Sequence, residues 1–354
     1  MVAITMPTTT PVKLAVLGAG LIGKRHIEYI LAEPEAELLA IVDPSTAGKD
    51  VAEQKQIRWY PSFAALLANQ KPDGVIVATP NQLHLENGLE ILAAGVPVLV
   101  EKPITDDVVS AMRLVKTAEA AGVPLLVGHH RRHNPMIRAA KQIIGSGRLG
   151  RIIAVHASCW FMKPDEYFAV PWRRMKGAGP VLLNLIHDVD LLRCLCGEVT
   201  SVQAIESRAA RGNAVEDTAV ILLHFESGAL GTMTISDTIV APWSWELTSG
   251  ESSAYHQTDQ SCYLIGGTHA SLTIPQFEIW HNKEARSWWE PLHVERVPFE
   301  TADPLRLQIL NFCRVIRGEE KPLVTGREGL RTLEVIAAIG QAAEAGQSVK
   351  ISVT

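Results

Sequence analysis

Three glycines, Gly18, Gly20 and Gly23, stand between an apolar run and the start of an amphipathic stretch, and no other feature restricts this chain more. This spacing lets a parallel strand turn directly into a helix while the backbone approaches a pyrophosphate held on the helix N-terminus. Glycine turns of this kind also arise for packing alone. A second feature separates the two readings: Asp43 ends the next β-rich run, about 20 residues past Gly23, where a carboxylate meets the ribose hydroxyls of a dinucleotide. Gly18, Gly20, Leu21, Ile22, Gly23 and Asp43 therefore form the expected cofactor-binding set. NAD is expected in preference to NADP, because Asp43 repels a 2′-phosphate and no arginine follows it to offset the repulsion.

The motif sits in a repeating pattern. Between residues 12 and 128, strand-like runs at 13–17, 38–42, 74–78, 98–100 and 125–127 alternate with helical stretches at 21–32, 63–67, 82–94 and 106–121. The runs are nearly all apolar, as parallel strands covered on both faces must be. Twice, at residues 94–97 and 121–124, the sequence Ala-Gly-Val-Pro ends a helix and starts a strand. After about Pro135 the pattern changes to longer strands with hairpin joins, at 152–158, 201–207, 219–225, 229–236, 262–265, 271–274, 277–280 and 294–297. Helices are expected over 181–195, 305–316 and 329–345.

A chain of 354 residues, 47% of them hydrophobic, is long and apolar enough for two cores. The expected fold class is α/β, with a doubly wound parallel Rossmann sheet over residues 11–130. An α+β domain with a large open, mainly antiparallel sheet should follow over 131–354, binding substrate and forming the oligomer contact. Residues 1–10 read as a disordered tail without the marks of a signal peptide.

Charge and cysteine usage narrow the partners. The formal net charge of −5 gives nucleic acid or an anionic membrane no basic surface to meet, so a small-molecule substrate is expected. No window approaches the roughly 18 apolar residues of a membrane helix, and a cytoplasmic protein is expected. Five scattered cysteines suit a reducing compartment. Cys194 and Cys196 lack a second ligand pair at metal-site spacing, so no metal is expected.

Further chemistry gathers at strand ends. Thr79, Pro80 and Asn81, with His84 a turn later, follow one parallel strand at the edge where open sheets bind ligands. Asn81 serves there either as a ligand contact or as a helix cap, and His84 as a contact or a packing residue. Glu101, Lys102 and Pro103 end the next strand, where a lysine can hydrogen-bond an alcohol oxygen and stabilise its developing charge. His129, His130, Arg131, Arg132 and His133 follow the last strand, either as site residues, His130 toward cofactor and Arg132 toward substrate, or as a polar seam. His187, in Ile186-His187-Asp188-Val189-Asp190, is either a satisfied core residue of an apolar helix or the group that accepts the proton an alcohol loses as hydride leaves its carbon, and its carboxylate neighbours argue against full burial. Trp172 and Arg173 offer a sugar-stacking face and a hydroxyl donor, while Trp243, Trp245, Trp288 and Trp289 read as sheet packing or an oligomer contact.

In combination and order, these residues resemble the glucose-fructose oxidoreductase/inositol dehydrogenase/MocA-like oxidoreductases over nearly the whole chain. The carriers are residues 18–23 with His26, 78–81 with His84, 101–103, Gly128, 131–132, 134–135, 172–173, 177–190 and 225–229. The resemblance implies hydride transfer between nicotinamide and a sugar, polyol or inositol substrate, with the catalytic lysine at Lys102 and a catalytic histidine at His187. It departs at one point: the family commonly places an aspartate four residues before the histidine, where this chain has Leu183. Asn184, the nearest polar residue, is expected to share the catalytic and substrate-binding role with His187. Two rival readings remain for the same fold, an NAD-dependent glycosidase using transient oxidation and a non-catalytic nicotinamide sensor. A homodimer or homotetramer is expected, because helices on one face of an open sheet leave the other face to cover.

Overall fold

The computed structural model describes residues 10–352. Most of the expected tail at 1–10 lies outside them. The chain divides into two compact units. The first is built on six strands: β1 (Val12–Leu17), β2 (Ala36–Val42), β3 (Trp59–Tyr60), β4 (Gly74–Val77), β5 (Val98–Val100) and β6 (Leu125–Val127). Helices α1 (Leu21–Ala32), α2 (Thr46–Lys55), α3 (Phe63–Leu67), α4 (His84–Ala93) and α5 (Val108–Ala121) connect them. All pairings are parallel, in the order β3-β2-β1-β4-β5-β6. This is the doubly wound order, in which the direction of winding reverses between β1 and β4 and ligands bind beyond the strands' carboxyl ends. Side chains of β1, β4 and β5 are almost wholly buried, because helices cover both faces. The sequence reading missed β3 and α2. The first has two residues, and the second is a polar helix whose start is set by Ser45, whose hydroxyl accepts the Gly48 N–H.

The second unit carries α6 (Pro135–Gly145), β7 (Ile152–Trp160), α7 (Ile186–Cys196), β8 (Val199–Ser207), β9 (Thr218–Phe225), β10 (Leu230–Ser236), the short α8 (Trp245–Thr248), β11 (Tyr263–Gly267), β12 (Ala270–Ile274), β13 (Glu278–Asn282), β14 (Leu292–Arg296) and β15 (Val349–Lys350). Its nine strands run in the order β14-β13-β12-β11-β7-β10-β9-β8-β15, antiparallel except for the parallel pair β7 and β10. Strict alternation on β9 buries Ala219, Ile221, Leu223 and Phe225 on the face that packs against α6 and α7, and turns Val220, Leu222 and His224 outward.

The remaining helices correct the expected domain division at 131–354. Helix α9 (Pro304–Ile316) belongs to the first unit, which runs to His133 and takes in Asp303–Leu333. Ile309, Phe312 and Cys313 join the same core as Leu14, Ile41 and Ile76, and Gly74 is a glycine because Phe312 and Ile316 occupy the space a Cβ would need. An amphipathic helix carries no local mark of which core it will join, so contiguity was the wrong guide. Helix α10 (Gly326–Ala345) follows, and residues from Glu334 onward count with the second unit.

Candidate active site

Five strand ends of the parallel sheet carry the expected cofactor residues: Gly18–Gly23 after β1, Asp43 after β2, Thr79 after β4, Lys102 after β5 and His130 after β6. The three glycines do different work. Gly18 has φ +96°, and a Cβ there would lie 2.7 Å from the Ala78 carbonyl oxygen; one at Gly23 would lie 2.0 Å from that of Gly18. Both are therefore needed for close packing, and both are buried. Gly20 is exposed, and a Cβ on it would meet nothing within 4 Å.

Helix α1 starts at this open position without a side-chain cap, whereas Ser45, Ser62 and Asp107 cap α2, α3 and α5. Its first N–H groups are thus left for an anion, beside exposed Leu21 and half-buried Ile22. Asp43 closes the same turn. Its Oδ2 accepts the Ala19 N–H at 2.8 Å, and its Oδ1 accepts the Ser45 N–H at 2.8 Å and the Ser45 hydroxyl at 2.5 Å. Burial pushes its carboxyl up, but the bonds from Ser45 and Ala19 outweigh this, so it sits below its ordinary range and is ionised at neutral pH. These residues fit a dinucleotide: an open glycine, an uncapped helix start and a fixed carboxylate adjoin one turn.

The Thr79 hydroxyl donates to Asn87 Oδ1 at 2.9 Å, Pro80 is exposed, and half-buried Asn81 is the first residue of a short 3-10 turn. Two of the expected cofactor contacts are buried and bonded to other parts of the chain. His84 is buried, with Nδ1 2.9 Å from the Pro103 carbonyl oxygen and Nε2 2.9 Å from that of Thr79, so it ties the two strand-end segments together. Burial pushes its imidazole pKa down, against the pull of those carbonyls. Glu101 is buried too, with Oε1 2.7 Å from His26 Nε2 and Oε2 accepting the Lys102 N–H at 3.1 Å. Burial alone would raise its pKa, but His26, His130 and Lys102 bring it down to about 2. Gly128 is a glycine because a Cβ there would lie 2.8 Å from that carboxyl group. Lys102 itself is half-buried.

In the cluster after β6, His129, Arg131, Arg132 and His133 are buried and His130 is half-buried. Arg132, expected at the substrate, has its Nη2 2.9 Å from Glu328 Oε2, within the first unit. A guanidinium that must be buried needs a carboxylate, and the returning segment supplies one.

The second unit holds the remaining candidates. The helix expected over 181–195 begins as one wide π-helical turn, Val181–Leu185, and continues as α7. Such turns recur at functional sites because they displace side chains from the regular helical face. His187 is buried at the second position of α7, and half-buried Leu183 and Asn184 precede it in the wide turn. The Asn184 Oδ1 is buried without a hydrogen-bond partner among the described residues, an acceptor left over by the protein itself. The expectation that Asp188 and Asp190 keep this region wet is corrected: both are buried. The Tyr263 hydroxyl donates to Asp188 Oδ1, and Tyr263 stacks on Trp245 at 5.8 Å. Trp172 is 52% exposed, beside Arg173, whose guanidinium lies 4.1 Å from the Tyr167 ring centroid and donates to the Tyr167 carbonyl at 2.9 Å. Arg173 is thus partly used by its own loop.

Sequence reasoning passed over Asn87, Tyr263, Lys163, Tyr167 and Glu216. Tyr263, Lys163 and Glu216 act through partners distant in sequence, which no local pattern marks, whereas Asn87 and Tyr167 meet Thr79 and Arg173 close by in the chain.

A family model described as "Oxidoreductase family, NAD-binding Rossmann fold" matches residues 12–129, and one described as "GFO/IDH/MocA C-terminal domain" matches residues 137–273. The chain is 27% identical over 341 residues to a 1,5-anhydro-D-fructose reductase of Ensifer adhaerens, covering 95% of this chain and 97% of that one. It is 33% identical over 230 residues to an inositol 2-dehydrogenase of Rhodococcus erythropolis, covering 63% and 64%. Among solved structures it is similar to the WlbA dehydrogenase of Bordetella pertussis in complex with NADH and UDP-GlcNAcA. That match has a TM-score of 0.78 at 26% identity and covers 98% of this chain and 100% of that one.

Proposed function

Because the chain belongs to the GFO/IDH/MocA oxidoreductase family, we propose that it is an NAD-dependent dehydrogenase acting on a secondary alcohol or ketone of a sugar, polyol or inositol-like substrate. The observation that carries this reading is the parallel sheet's carboxyl edge, where the uncapped start of α1 and ionised Asp43 occupy the neighbouring ends of β1 and β2, and Lys102 follows β5 two strands from β1 at the same edge. The relatives named for inositol and anhydrofructose support the substrate class. A bound nicotinamide supplies the hydride acceptor or donor.

The chain's own residues do the rest. The backbone N–H groups at Gly20 and after hold the pyrophosphate, and Asp43 takes the ribose hydroxyls. Lys102 donates a hydrogen bond to the substrate oxygen and stabilises the charge that gathers there. His187 is the acid/base, taking a proton in the oxidative direction and returning it in reduction. Asn184 offers its unpartnered carbonyl oxygen to a substrate hydroxyl; it binds and cannot relay a proton.

The test is a panel of sugars, inositols and their oxidised forms, followed at the nicotinamide absorbance with NAD and NADP. NAD should give the higher kcat/KM, since Asp43 is already held ionised by Ser45 and Ala19 and repels a 2′-phosphate. Equal or better efficiency with NADP would remove Asp43 from that role.

The outward face of the nine-stranded sheet supports a homodimer or homotetramer. It presents Ile205, Val220, Leu222, Leu230, Leu264 and Trp280, an apolar area that a monomer would leave in water. Light scattering at micromolar concentration should report an oligomer, and the double substitution Val220→Glu with Leu222→Glu should shift it toward monomer. A wild-type monomer would sink this reading.

A further inference from the structure

We propose that Glu216 is a positioning residue for His187, its carboxyl group seating the wide turn Val181–Leu185 and doing so with a strength that changes as it titrates. The inference rests on the role given above to His187. Glu216 lies two residues before β9 and is half-buried. Its Oε1 accepts the N–H of Val181, the first residue of the wide turn, at 3.1 Å. The contact is close on both sides: a Cβ at Gly179 would lie 1.9 Å from the same oxygen, so Gly179 is the cradle into which the carboxyl group fits. The pair locks a chain segment that ends, six residues after Val181, at His187.

The surroundings make this lock responsive. The charged groups facing Glu216 are two carboxylates, Glu206 on β8 and Asp237 just past β10. Asp237 is engaged by the Arg211 guanidinium at 2.8 Å and by Lys163 at 3.9 Å, and Glu206 faces Lys176 and Glu344. Burial first, and these like charges after it, push the Glu216 carboxyl up to about 7. Near neutral pH it is therefore present in both forms. The carboxylate is the stronger acceptor for Val181 N–H and suits the positive helix start, whereas the acid form binds the same N–H more weakly. Either form keeps the fold, but they hold the turn before His187 differently.

Glu216→Gln keeps shape and acceptor and removes the titration. In protein labelled with 15N-valine, the Val181 amide signal, assigned by its absence in Val181→Ile, should move with a midpoint near 7 in wild type and stay still in Glu216→Gln. The kcat/KM profile should lose its component near pH 7 in the same variant. Glu216→Gln should also melt higher than wild type above pH 7 and converge with it below pH 5. The sign follows because a carboxyl with a raised folded pKa costs stability that grows as pH rises through that value. A purely structural carboxyl would leave the pH profile unchanged. A Val181 signal that titrates equally in both proteins, or superimposable profiles, would overturn the proposal. The amide titration does not involve catalysis, so normal turnover in a His187 variant would sink the proposed mechanism and leave that readout intact.

Discussion

Replacing His187 or Lys102 with alanine should lower kcat by at least about a hundredfold, the lower range for losing a positioned acid/base group, or about 2.7 kcal/mol of barrier. NADH affinity, read by fluorescence titration, should stay within a factor of a few, because the residues assigned to the pyrophosphate and ribose belong to the turn of Gly18–Gly23 and to Asp43. His187 is chosen for its chemistry and its setting. It stands on α7 directly after a wide turn, with an unpartnered amide oxygen on Asn184 close before it in sequence. One carboxyl oxygen of its neighbour Asp188 already takes the Tyr263 hydroxyl. Near-normal turnover in either alanine variant removes that residue from the mechanism. A large rise in the NADH dissociation constant would instead move it to the cofactor side.

The second large effect lies in the support of Lys102. Glu101→Gln should destabilise the protein by about 1–3 kcal/mol at pH 7, the usual cost of leaving a buried hydrogen-bonding group poorly satisfied. The reason is geometric: Glu101 and His26 are both buried, and the same carboxyl group holds the backbone N–H of Lys102. Its pH dependence has a definite sign. A carboxyl held near 2 instead of 4.5 contributes stability that is fully present above 4.5 and is lost as pH falls from there toward 2. The full span is about 3 kcal/mol. Urea unfolding at pH 7, 5 and 3 checks it. Wild type should lose more stability than Glu101→Gln between pH 5 and 3. Equal stability of the two proteins at pH 7 would show that the pair is energetically neutral and that Lys102 is seated by something else.

The expected elements that survived best were those with a strong period. The alternation on β9 and β10 and the hairpin through Gly228, φ +82°, were placed to within a residue or so. Helix α6 was overlooked although Asn134 and Pro135 form a regular start, the Asn134 side chain accepting the Met136 N–H. The wide turn before α7 was beyond reach, because an apolar run such as Val181-Leu182-Leu183-Asn184-Leu185 reads the same in a helix with one residue more or less per turn.

By itself the sequence determined the cofactor half: glycine spacing, Asp43 and the apolar strands are local constraints, and each acts through its own backbone or its immediate neighbours. The tertiary structure decided which polar residues are bonded to one another inside the protein. Arg132 pairs with Glu328 and Glu101 with His26, while Asp188 binds Tyr263 and Glu216 grips Val181. All four are pairs separated by long stretches of chain. A buried charge or carboxyl must find its partner wherever the fold brings one, and that choice is made by three-dimensional packing and desolvation, which no window of sequence contains.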